Sequence, residues 1–447
     1  MLLRVLWIMA SCVATERRRA MLTLVVMTLS TLSLPVHAQK AVRIAAGGHS
    51  LELREDGTVS AWGGNDHGQL GDGSTANRSS PVSVAGLSGV VEIAAGGVNS
   101  LARQQDGTVW AWGNNSYGQL GDGSTINRAT PVPVNGLTGV VAISAGNGHS
   151  LFCTQDGRVW ALGRNNYGQL GDGSTINRVT PVPVNGLTGV VAISAGDGHS
   201  LARTQDGRVW AWGDNFSGQL GDGTTTNRSS PVLVPDLLGV VEIRAGGWHT
   251  LARTRDGQVW GWGANVWREL GDGTTIDRSS PGLVPGLSAA AEIGAGWAHS
   301  LARTEDGRLW AWGSSRNSPT LVQGLSGVLE IAAGGDHSLA RKQDGTVWGW
   351  GAKANVDERS VSTRPTLLQW LHNPKSIAAG SRYSLALTAD GRVFAWGNNS
   401  SSQLGIPGPQ SSSVPKQVLD PMLPANTQGA YPVVEYENKS IVGGRYF

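Results

Sequence analysis

The feature that most restricts what this chain can fold into is a signature that returns every 50 residues. Its marker, Gly-x-x-His-Ser/Thr-Leu with close variants, carries His49, Asn99, His149, His199, His249, His299, His337 and the degenerate Tyr383; the first six lie 50 residues apart and the last two steps shorten to 38 and 46. Asp-Gly follows every marker, from Asp56-Gly57 to Asp390-Gly391, and then comes Val-x-x-Trp-Gly or a variant. Thr130 to Gly146 recurs unchanged as Thr180 to Gly196, which marks a duplication. A fixed period of this length means one supersecondary unit per repeat, each burying its apolar face against its neighbours. The chain carries eight such units.

Within one unit the residues predict four strands. Val190-Val191-Ala192-Ile193 is rich in β-branched residues and gives way to Ser194-Ala195-Gly196. His199 to Thr204 and Arg208 to Trp212 flank Asp206-Gly207. Asp-Gly is a strong hairpin signal because both turn residues tolerate positive φ, so these two runs are expected as antiparallel neighbours. The last run, Pro231-Val232-Leu233-Val234, has the counterparts Pro131-Val132-Pro133-Val134 and Pro181-Val182-Pro183-Val184. Prolines at alternate positions remove ladder donors along one side, which only an edge strand tolerates. The small Ala-Gly residues suit the crowded centre of radially converging sheets. Tryptophans paired at i, i+2, such as Trp110 with Trp112 and Trp210 with Trp212, project from one strand face into the wedge between sheets. There are 18 Trp but only 4 Phe, so tryptophan must supply the bulk of the core, and 64 Gly disfavour long helices. The expected fold is all-β, a β-propeller of seven or eight four-stranded antiparallel blades built from repeats of about 50 residues.

The three-part signature Gly-x-x-His-Ser-Leu, Asp-Gly-x-Val-x-x-Trp-Gly and Asn-x-x-Gly-Gln-Leu-Gly-Asp-Gly, recurring in that order with the third part altered or lost in units five to eight, resembles the repeat of the regulator of chromosome condensation family over about Ala41 to Val418. That family is typically seven-bladed, whereas eight units are counted here, and the units beginning near Ala291 and Val328 are shortened. The resemblance also implies guanine-nucleotide exchange on a small GTPase, the activity of the family's namesake, as one alternative function.

Outside the repeats, residues 1–38 read as a signal peptide. Arg17 to Arg19 form a basic segment, Met21 to Leu34 an apolar one, and Val36-His37-Ala38 ends in a small residue, so cleavage is expected after Ala38. An uncleaved anchor is the alternative reading, and a second apolar run before Arg17 makes Met21 a candidate translation start. Residues 39–418 are then the propeller, and 419–447 a linker and tail, either a ring-closing strand around Pro432 to Tyr436 or the start of a further module. No later stretch is apolar enough to span a bilayer. The expectation is a bacterial, exported member of the family, periplasmic, cell-surface or extracellular, and monomeric.

Charge argues against nucleic acid. The chain has 35 Lys and Arg against 33 Asp and Glu, and setting aside the first 38 residues leaves 31 against 32, far from the basic excess that phosphate binding uses. Of the two cysteines, Cys12 lies in the leader, so Cys153 has no partner for a disulfide after cleavage.

No catalytic site, cofactor or metal is expected. The repeated His-Ser pair invites a hydrolase reading, yet a catalytic base must be singular and converge on one reacting atom, so a structural role, with His bonding a neighbouring turn, is preferred. The loop Gly68 to Thr75 and its echoes hold one Asp each, too few for calcium, and fit an Asx-type turn. The same loops lack the Lys of a phosphate-binding loop. Gly247-Trp248-His249-Thr250 lacks the Arg found in the tryptophan motif of the plant ultraviolet-B photoreceptor, which argues against photoreception. What remains is recognition of a protein or glycan by loops of a propeller face. The irregular units five to seven break the symmetry, and Trp267, Arg268, Arg316, Lys353, Asp357 and Arg359 form the candidate contact patch.

Overall fold

A computed structural model describes residues 40–314, 316–352, 361–369, 371 and 373–419. They form 32 strands in eight four-stranded antiparallel sheets, each built from four consecutive strands in sequence order. The blades span 41–83, 90–133, 140–183, 190–233, 240–283, 290–321, 328–367 and 374–417. The fold is therefore the expected propeller, with eight blades. Among the described residues no helix is long and apolar enough to cross a membrane. The expected signal peptide and the 420–447 tail, including the Pro432 to Tyr436 strand, lie outside the described residues.

The first blade shows how sequence makes each sheet. Strand β1 (Ala41–Ala46) pairs with β2 (His49–Arg54), β2 with β3 (Val59–Gly63), and β3 with β4 (Arg78–Ser83). The innermost strands end in the small residues, and Ala46, Gly47 and Gly48 with their counterparts from every blade line a central cavity of about 320 Å³. The proline-bearing runs are the outer edges, as their missing donors require.

The Asp-Gly hairpin forms where expected but by a different device. Only Gly57 takes positive φ, +77°, while Asp56 does not, and its Oδ1 accepts the Thr58 N–H at 2.9 Å. The chain thus makes a turn closed by a left-handed glycine, with the aspartate acting as a side-chain cap. Glycine is doubly required there, because a Cβ would stand 2.8 Å from the backbone of Gly89 in the connection to the next blade.

The core lies between blades rather than within them. At the first junction Leu51, Leu53, Val59 and Leu70 of blade 1 pack on Ala102 and Trp112 of blade 2, and a similar cluster fills each following wedge. The tryptophan of the Trp-Gly step in seven blades (Trp62, Trp112, Trp212, Trp262, Trp312, Trp350 and Trp396) is almost wholly buried. Around the axis, backbone bonds run from blade to blade: Gly48 N–H to Gly96 O at 3.2 Å, Gly335 N–H to Gly380 O at 3.2 Å, and Ser381 N–H back to Gly47 O at 3.3 Å. The last of these closes the ring.

Candidate partner-binding face

Two kinds of loop emerge on one face: the short turn between the first two strands of a blade, and the long loop between its third and fourth strands. The marker residues sit beneath that face, and their positions decide whether chemistry can happen there. His149 Nε2 lies 3.0 Å from Ser200 Oγ of the next blade, and the pattern repeats for His199 with Thr250 at 3.1 Å, His249 with Ser300 at 3.0 Å and His337 with Ser384 at 2.8 Å. Ser200 Oγ donates in turn to the Gln169 carbonyl at 2.8 Å, which also accepts the Trp212 indole N–H at 2.9 Å. These imidazoles and hydroxyls are buried, and burial pulls the histidine pKa values down to about 3 or 4, so the rings are neutral. The pair is an inter-blade fastening. The histidine bonds a hydroxyl of the adjoining strand, not a neighbouring turn as the sequence suggested.

The Asp-Gly-Ser loops are equally accounted for. Asp72 Oδ1 accepts the Ser74 N–H and hydroxyl at 3.0 and 2.8 Å, and Oδ2 takes the Arg78 guanidinium at 2.6 Å. Those bonds hold the carboxyl below the usual range despite its partial burial. An Asx turn locked by an ion pair leaves the carboxylate no free coordination for calcium, and no group of three His, Cys, Asp or Glu could hold a metal among the described residues.

Above this fastened layer the long loops present aromatic rings. Tyr117, Tyr167 and Trp267 occupy one loop position in blades 2, 3 and 5, and Phe216 of blade 4 stands one residue earlier. Phe216 is 69% exposed and Trp267 55%. Tyr167 meets Phe216 edge-on at 5.8 Å between centroids, and the Arg164 guanidinium lies 5.7 Å from the Tyr117 ring and 5.3 Å from that of Tyr167. In the short turns Trp248 and Trp297 are each 46% exposed, and Trp297 and Asp197 both line the central cavity. Burial raises the Asp197 carboxyl to about 6, partly offset by Arg164.

Of the candidate contact residues, Trp267 and Arg268 lie together on this face. Arg268 holds φ +68° where blades 1 to 4 have Gly68, Gly118, Gly168 and Gly218, and its Nε donates to Asn317 Oδ1 of blade 6 at 2.5 Å. The shortened loop of blade 6 makes that approach open. Trp267 N–H is held by Glu269 Oε2 at 2.9 Å. Glu269 replaces the glutamine of other blades, and burial raises its carboxyl to about 7. Arg316 starts the outer strand of blade 6 opposite Gly313, the register at which Arg78 and Arg278 stand opposite Gly63 and Gly263. It is half-buried, and desolvation lowers its pKa. Lys353, Asp357 and Arg359 lie outside the described residues. The sequence reading missed Tyr117, Arg164, Tyr167 and Phe216; the available signal was an aromatic recurring just before Gly-Gln in the long loop.

Known proteins bear on this arrangement. Residues 25–235 match the model described as RCC1-like domain. The model for the regulator of chromosome condensation (RCC1) repeat matches 240–266, 290–318, 328–355 and 375–403, and a second model of that repeat matches 256–303 and 390–434. Together these span most of the chain. Among curated relatives, the RCC1 domain-containing protein RUG3, mitochondrial, of Arabidopsis thaliana is 44% identical over 70 residues, 14% of this chain and 16% of its own length. The E3 ubiquitin-protein ligase HERC2 of Homo sapiens is 41% identical over 64 residues, 14% of this chain and 1% of its own length. The chain thus spans under a fifth of the curated relatives it matches. Yeast RCC1 (Prp20), solved bound to Kap60, superposes with a TM-score of 0.61 at 22% identity, covering 88% of this chain and 90% of that one. Human WBSCR16 gives 0.58 at 23% identity, covering 70% and 94%. At such identity the likeness is one of fold.

Proposed function

The chain belongs to the regulator of chromosome condensation repeat family, and from that premise we propose that it is a non-enzymatic scaffold that binds a protein or glycan partner through the aromatic loops of one propeller face. The observation that carries this reading is Arg268. A non-glycine residue in the left-handed region costs about 1 kcal/mol or more, and such strain is retained where a side chain is needed. Here it holds a guanidinium beside the exposed Trp267, and both residue types are enriched at the energetic centre of interfaces. The fastened His-Ser layer below makes the platform rigid, so little is lost to ordering on binding.

The export signal read in residues 1–38 supports a partner in the periplasm, on the cell surface or outside, away from any GTPase. Fractionation that finds the mature chain in the cytosol, together with accelerated nucleotide release from a small GTPase, would favour the exchange-factor alternative instead. The test of the face itself is affinity capture from the compartment that holds the protein. Trp267→Ala with Arg268→Gly is expected to lose the captured partner while melting no earlier than the parent, since glycine relieves the strain. Undiminished capture by that variant would remove these residues from the site.

A further inference from the structure

The opposite face carries a different set of clefts, and they do not depend on the reading above. Between blades 3 and 4 a cleft of about 320 Å³ is walled by Gly186 to Gly189 of the connecting segment and by Thr204, Asp206, Arg208 and Trp210 of the hairpin. Its counterpart 50 residues earlier, about 300 Å³, is walled by Thr138, Thr154, Asp156, Arg158 and Trp160. These volumes fall at the small-ligand end of the range for binding pockets.

Blade 2 shows what such a cleft accepts. There Gln104 stands where blades 3 and 4 have Thr154 and Thr204, and its terminal amide bridges the two walls. The amide oxygen accepts the Trp110 indole N–H at 2.8 Å, and the amide nitrogen donates to the Ser88 carbonyl at 2.6 Å. Threonine is too short to do this. Thr204 Oγ1 turns instead to Asp206 Oδ1 at 2.5 Å and the Arg208 carbonyl at 3.2 Å, and Thr154 does the same with Asp156 and Arg158. The indole N–H groups of Trp160 and Trp210 and the carbonyls of Thr138 and Thr188 thereby have no such partner across the cleft.

We propose that the two clefts bind N-acetylhexosamine units of a polysaccharide, the acetamido group taking the place that the Gln104 amide fills in blade 2. An acetamide offers the same acceptor for the indole and the same donor for the carbonyl. The sugar ring then lies among Trp210, Arg208, Asp206 and Thr188, an indole surface with donors and acceptors for hydroxyls. Arg158 and Arg208 are more than half exposed and have donors to spare. Two like sites on adjacent blades suit a ligand that itself repeats.

The test is calorimetric titration of the whole protein with chitotriose, using cellotriose, which has hydroxyls in place of acetamido groups, as the control. Chitotriose is expected to occupy both clefts with a dissociation constant in the roughly millimolar range of single-sugar sites. Thr154→Gln with Thr204→Gln rebuilds the plug of blade 2 and is expected to lower affinity at least about tenfold, with melting unchanged or raised. Gln104→Thr opens the equivalent cleft in blade 2 and is expected to add one site. No chitotriose binding at about 10 mM, equal binding of cellotriose, or affinity untouched by the glutamine plugs would overturn the proposal. Failure here leaves capture through Trp267 and Arg268 unaffected, because those residues occupy the other face.

Discussion

Asn99 interrupts the row of marker histidines, and the consequence is local. Its side-chain nitrogen and oxygen find no partner, and neither does Ser150 Oγ of the next blade, the hydroxyl a histidine would reach. Asn99→His should complete that fastening and raise stability by about 1 kcal/mol in urea unfolding, since it satisfies a buried hydroxyl. Glu269 is the opposite case, a titratable group buried where other blades carry glutamine. Its pKa stands at about 7 in the folded chain against about 4.5 unfolded, so folding binds a proton between those values. Stability therefore falls as pH rises from 4.5 to 7, and the penalty is complete above 7. Glu269→Gln is expected to stabilise on the order of 2 kcal/mol at pH 8 and to have little effect at pH 4.5, read from melting temperatures across that range. The buried histidines act with the other sign, their depressed pKa values removing stability as pH falls below about 6.5 toward 4. None of these environments is visible in residue identity alone, because a histidine row reads the same whether it is exposed or sealed.

At the scale of strands, the pairing order, the hairpins and the proline edges were legible, since each rests on local chemistry: turn residues, alternation, missing donors. The third blade shows where local reading stops. Its third strand has Leu162 where others have tryptophan, which looks like a loss of core, yet Phe152 on the adjoining strand stands where six of the other seven blades have alanine, and both fill one wedge. Leu162→Trp alone should overpack this wedge and cost about 1–3 kcal/mol, and Phe152→Ala alone should leave a cavity costing about 3–5 kcal/mol. Combined, they recreate the pattern of blade 4, so the double variant should be much closer to the parent than the sum, a coupling that a double-mutant cycle measures.

For the whole molecule the deciding event is closure. Blade 8 carries Tyr383 in place of the marker histidine, and its hydroxyl donates to the His49 carbonyl at 2.6 Å and accepts from Ser50 Oγ at 3.0 Å. The Trp62 indole N–H reaches the Gln403 carbonyl at 3.1 Å across the same seam. Tyr383→Phe removes two buried hydrogen bonds but leaves Ser50 Oγ its bond to the Gln403 carbonyl and the His49 carbonyl its bond from the Gly47 N–H, so a loss of about 1 kcal/mol is expected in chemical unfolding, with the ring still closed by packing and the native hydrodynamic radius kept. The repeat, the four strands of each unit and the small-to-large gradient from axis to rim were readable from the chain, because these follow from periodicity and residue chemistry. Only in three dimensions does it emerge that all eight units, shortened ones included, enter one ring, that five of the six marker histidines bond across blades, and that aromatic loops gather on one face while open clefts lie on the other. Those outcomes depend on which residues of different repeats meet, and a period in the chain specifies neighbours along it without specifying the angle at which they pack.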